Sequence, residues 1–62
     1  MNKLQQIRKE NKMNQQELAK LVNVERSHIS KIETGASDLT GKLIIKLCKI
    51  FNISADELLG LK

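Results

Sequence analysis

The stretch Asn14–Gly35, NQQELAKLVNVERSHISKIETG, decides how this chain folds. It reads as two short helices joined by a tight bend, the second stopping at a glycine. Leu18, Ala19 and Val22 share one helical face, and Ile29 and Ile32 share another further on. Asn14 can cap the first helix, and Glu17 completes a capping-box pair with it. Ala19 is small where a bulkier side chain would hold the two helices apart. Asn23 falls at the bend, just before Val24, and asparagine tolerates a left-handed backbone better than other non-glycine residues. The second helix starts at Glu25 or Arg26 and ends at Thr34, before a glycine stop. Glu25 is a poorer cap than Ser or Thr would be.

Outward from this unit the periodicity stays helical. A first helix is expected over about Asn2–Asn11, anchored by Leu4 and Ile7, with Arg8 one helical turn beyond Leu4. Beyond the loop Gly35–Leu39, Thr40 can cap a helix running to about Phe51. Its inward stripe reads Ile44, Leu47, Cys48 and Phe51, spaced i, i+3, i+4, i+7. Ser54 and Glu57 suggest a second capping box, opening a last helix that carries Leu58 and Leu59. The pattern predicts an all-α, compact five-helix bundle, one domain over residues 1–62. Leu39, Leu43, Ile50 and Leu61 read as surplus apolar surface that a partner subunit can cover.

Composition narrows the function classes. A chain of 62 residues builds one small core, and with Phe51 as its single aromatic that core must be aliphatic. Cys48 is the only cysteine, so no disulfide forms within the chain. Eleven Lys and Arg against seven Asp and Glu give a net charge of +4, which favours a polyanionic partner, nucleic acid first. The start carries no apolar run, and no stretch approaches the roughly 20 residues of a membrane span, so a cytoplasmic protein without membrane partner is expected. A reduced Cys48 fits that compartment. His28 stands alone among histidines, without clustered cysteines, so no metal site is expected. No nucleophile is paired with a base, and a chain this short has little room for a pocket. The expectation is therefore no enzyme, no cofactor and no small-molecule substrate.

Gln15, Glu17, Leu18, Ala19, Val24, Ile29, Ser30, Ile32, Glu33 and Gly35 stand in one register, followed by the tail Asn52–Leu59. With these residues the chain resembles the phage-repressor family, the lambda-repressor-like, Cro-type helix-turn-helix DNA-binding proteins, from Leu4 to Leu59. Three departures stand out. Asn23 replaces a usual glycine, Leu39 stands where proline is common, and Ala36-Ser37-Asp38 lacks the basic residues many relatives place on phosphates.

The resemblance implies a helix-turn-helix at about 14–35 and sequence-specific binding to double-stranded DNA, often as a homodimer on a symmetric operator. The recognition helix, about 25–34, would enter the major groove. It also implies four base-reading candidates, Arg26, Ser27, Ser30 and Lys31, with Lys31 about one turn beyond Arg26 and facing the same way. Asn14, Gln15, His28, Ser37, Thr40 and Lys42 are the phosphate candidates. Gln15 would also brace the recognition helix, as a glutamine does in relatives. Arg8 and Glu33 would form a partly buried ion pair that sets the angle of that helix. The implied activity is transcriptional regulation of repressor type, by operator occupancy. The alternative is a protein-interaction module, antitoxin-like in its partner binding, supported by Glu25 and the poorly basic loop.

Overall fold

A computed structural model describes residues 2–61. It holds five α-helices: α1 (Leu4–Glu10), α2 (Gln15–Val22), α3 (Arg26–Thr34), α4 (Gly41–Phe51) and α5 (Ala55–Leu59). Leu4, Leu18, Ala19, Val22, Ile29, Ile32, Leu43, Leu47 and Leu58 form one aliphatic core to which every helix contributes. α3 packs on α2 and α1, α4 packs on α2 and α5, and α5 returns to α1. The Lys3 amide closes this circuit by donating to the Leu58 carbonyl at 2.8 Å.

α1 is shorter than the expected Asn2–Asn11. Asn2 lies outside the helix: its Oδ1 accepts from the Leu4 amide at 3.0 Å while its Nδ2 donates to the Ile32 carbonyl at 3.2 Å. One side chain thus satisfies an orphan donor of α1 and adds a second bond to the Ile32 carbonyl, which also accepts from the Gly35 amide at 3.2 Å. Leu4 is fully buried, and Ile7 is only half-buried against the core.

α4 is rotated relative to its expected stripe. Leu43 and Leu47 are the buried pair, with Ile44, Cys48 and Phe51 packed on the core's margin. The reason is that α4 has two neighbours, α2 and α5, so it needs a wide apolar face rather than a stripe aimed at one of them. Leu43 therefore belongs to the core and not to a partner-facing patch, and Leu39 is half-buried beside it. The large apolar side chains left exposed are Leu21, Ile45, Ile50 and Leu61. The cap of α5 is half of the expected box. The Glu57 amide donates to Ser54 Oγ at 3.2 Å, but the Glu57 carboxylate meets the Ser54 hydroxyl and not its backbone amide. Among the described residues no helix is long and apolar enough to cross a membrane, and no group of His, Cys, Asp and Glu is placed to hold a metal ion.

Candidate nucleic-acid interface

The α2–α3 unit is shaped by local chemistry before any tertiary contact. The Glu17 amide donates to Asn14 Oδ1 at 2.7 Å, and the Asn14 amide donates to Glu17 Oε1 at 2.9 Å, so the capping box is complete. Asn23 takes the left-handed conformation at φ 58, ψ 48, and its turn sends the Val24 amide back to the Ala19 carbonyl at 3.0 Å. α3 then starts at Arg26, and Glu25 before it supplies no side-chain cap. It stops at Gly35, where φ is 88. A Cβ at Gly35 would touch nothing within 4 Å, so the glycine is required by backbone conformation rather than by space.

A chain of polar contacts ties α3 to α1 and α2. Arg8 Nε donates to Glu33 Oε2 at 2.6 Å and Nη2 to Oε1 at 3.2 Å, a two-point pairing that fixes orientation as well as distance. Both residues are buried. Arg8 Nη1 also donates to the Met13 carbonyl at 2.7 Å. That carbonyl is delivered by Lys12, which adopts a left-handed backbone at φ 57. Glu33 Oε1 receives a further bond from Gln15 Nε2 at 3.0 Å, and Gln15 Oε1 in turn accepts from Arg26 Nη1 at 3.2 Å. Burial by itself would raise the Glu33 carboxyl. Hydrogen bonds from Arg8 and Gln15, with the charges of Arg8 and Lys9, outweigh it and hold the group below the ordinary glutamate range. The Gln15–Glu33 bond carried no local sequence signal, because its partners lie 18 residues apart.

The opposite side of α3 faces solvent. Arg26, Ser27 and Lys31 are exposed, and Ser30 and His28 are half-buried. Arg26 and Lys31 do not face the same way. Five residues on a helix of 3.6 per turn place them about 140° apart, at opposite borders of the exposed face. The rows along that face are Arg26–Ser30 and Ser27–Lys31, each four residues apart. Asn14, at the start of α2, is exposed; Gln15 beside it is half-buried. Asn14 uses its oxygen for the cap, which leaves its Nδ2 amino group to other partners. After α3, the Ser37 amide donates to the Lys31 carbonyl at 3.1 Å and draws the loop back onto the helix end. Ser37 is half-buried, while Thr40 and Lys42 are exposed at the start of α4, where Thr40 Oγ1 accepts from the Leu43 amide at 3.4 Å. The first turns of α2 and α3 and the loop before α4 thus carry the unpaired amides and short polar side chains that suit an anion.

The chain is 32% identical over 57 residues to the Antitoxin PezA of Streptococcus pneumoniae serotype 4, a match covering 92% of this chain. It spans only about a third (36%) of that relative's length. Residues 4–58 match the helix-turn-helix family, a span that takes in the core, the Arg8–Glu33 pair and the whole α2–α3 unit. Its five helices and its match together place this chain in the helix-turn-helix family of DNA-binding proteins, in the Cro/C1-type, lambda-repressor-like group.

Proposed function

We propose that this chain regulates transcription by occupying an operator, with α3 lying in the major groove of double-stranded DNA. The family binds DNA and is normally not enzymatic. The observation that carries the finer reading is the division of α3. Ile29, Ile32 and Glu33 hold one side in the core, while Arg26, Ser27 and Lys31 are exposed on the other. Arg26 suits the two acceptors of a guanine edge, and Lys31 suits a guanine as a point charge. Ser27 and Ser30 fit a base edge or a phosphate at short range. Asn14, His28, Ser37, Thr40 and Lys42 are assigned to phosphates, and Gln15 lies among them at the start of α2.

A homodimer on a symmetric site fits the dimensions. One copy measures 27 × 22 × 20 Å. Recognition helices of a dimer are spaced about 34 Å apart, one DNA turn, so two half-sites call for two copies. Selection of bound sequences from a random duplex pool tests the reading. The expected result is a two-fold symmetric site that Arg26→Ala relaxes at one base pair per half-site, by about 1–3 kcal/mol. Loss of affinity at every site alike, with preference intact, would overturn the base-reading role.

A second reading is supported by the likeness to an antitoxin and by exposed Leu21, Ile45, Ile50 and Leu61: the chain docks on a protein partner. Binding to mixed-sequence duplex at two salt concentrations separates the two. DNA binding weakens with a slope near −0.9 per neutralised phosphate; absent or salt-insensitive binding favours the protein partner.

A further inference from the structure

Gln15 stands between two groups of fixed and opposite hydrogen-bonding character. On its inner side is the Glu33 carboxylate, which only accepts, at 3.0 Å from Gln15 Nε2. On its outer side is the Arg26 guanidinium, which only donates, at 3.2 Å from Gln15 Oε1. A primary amide between an acceptor and a donor has one favourable orientation, with nitrogen inward and oxygen outward. The inner partner is itself immobile: Arg8 grips Glu33 at two points, and the Glu33 side chain is 1% exposed.

We infer that Glu33, a buried residue with no route to DNA, is a positioning residue for base reading: through Gln15 it holds the Arg26 guanidinium at the start of the recognition helix. This rests on the assignment of Arg26 to a base edge. The outward Gln15 oxygen repels a phosphate oxygen and attracts a cation, so in this arrangement Gln15 serves Arg26 before it serves the DNA backbone. Arg26 is long and exposed, and without such a tether it would sample many rotamers that bonding to one guanine must freeze out. The ion pair that anchors α3 therefore also sets the polarity of the residue beside its reading end.

Glu33→Gln makes the opposite prediction to simple destabilisation. The new amide keeps its oxygen on Arg8 Nε, the shorter of the two Arg8 bonds, and its amino group takes the place of Oε1, which gives up the longer Arg8 Nη2 bond and turns a donor to Gln15. Gln15 then flips, taking that amino group with its oxygen and pointing its own amino group outward. Arg26 loses its acceptor, and a donor for phosphate appears beside it. Preference at the Arg26 base pair falls roughly three- to tenfold, the scale of one ordinary hydrogen bond, as fits an exposed contact. Binding to mixed-sequence duplex rises, because a negative charge has left and a donor has turned outward. Gln15→Met, similar in length and unable to bond either neighbour, keeps the question open to test should Glu33→Gln fail to fold. It is expected to relax the same base pair by a similar factor.

Binding is measured on the selected site, on its variants at each position and on mixed-sequence duplex, for the full chain and the variants Arg26→Ala, Gln15→Met and Glu33→Gln. Relaxation at one shared base pair in all folded variants supports the inference. If Arg26→Ala relaxes that pair while folded Gln15→Met leaves it sharp, the positioning role is overturned and the base-reading role stands. If Arg26→Ala itself leaves preference intact, the base-reading role falls and the inference falls with it.

Discussion

The α2–α3 unit and α4 solve the same packing problem by different means. α2 and α3 are short, at eight and nine residues, and are held by directional contacts: a complete capping box, a left-handed asparagine, a glycine stop and a two-point ion pair. α4 is the longest helix, at eleven residues; it too has local caps, Thr40 at its start and a left-handed Asn52 at its end, but it rests on its neighbours mainly by aliphatic burial, with a long Lys46–Val22 carbonyl bond at 3.5 Å in place of an ion pair. Aliphatic burial is strong but non-directional, so it fixes which face of a helix is buried and sets no bond angle for the side chains on the other face. Hydrogen bonds and charge pairs restrict angle as well as distance. The helix that must present side chains in a set direction is the one that carries the polar contacts.

The largest expected effect attacks the directional side. Glu33→Ala leaves the Arg8 charge buried without its partner, and a loss of about 3–5 kcal/mol is expected, a large share of the stability of so small a domain. A denaturant midpoint unchanged from wild type would reject a structural role for the pair. On the aliphatic side, Leu43→Ala is expected to cost about 2–5 kcal/mol, and Ile44→Ala distinctly less, because Leu43 is the buried one of the two. Equal losses would restore the stripe expected from sequence spacing. Asn23 gives a smaller effect. Asn23→Ala places an ordinary side chain in the left-handed region, at about 1 kcal/mol, while Asn23→Gly stays close to wild type; matched losses for both would mean that the asparagine side chain matters in itself.

The mildest perturbation is acid. Glu33 is held below the ordinary glutamate range in the folded chain, so the unfolded chain takes up its proton first. The stabilisation is complete above the unfolded value, roughly 4.3, and is lost as pH falls through the lower folded value. Stability curves of the wild type and Glu33→Gln are expected to converge over that interval. Curves that stay parallel would show that Glu33 contributes nothing to acid sensitivity.

How much of this was legible beforehand follows the same division. Asn14 with Glu17, Asn23 and Gly35 act on backbone groups within a few residues, so their identity and spacing announce their role. α4 was harder because apolar residues fall almost all round it, and its packed face depends on the positions of α2 and α5. On the recognition face, residue types pointed to Arg26, Ser27, Ser30 and Lys31. The angular separation of Arg26 and Lys31 is a matter of helix geometry that a linear reading as one turn apart got wrong.

Order and type of the helices, and the caps and stops of α2 to α4, were written into the chain, because caps, bends and stops are short-range chemistry. Tertiary structure alone decided what meets at the reading end of α3. Arg8, Gln15, Arg26 and Glu33 come from three helices, and their contacts with one another exist only once those helices are in place. A side chain's partners follow from distances in space, and in a helical bundle those are set by packing rather than by position along the chain.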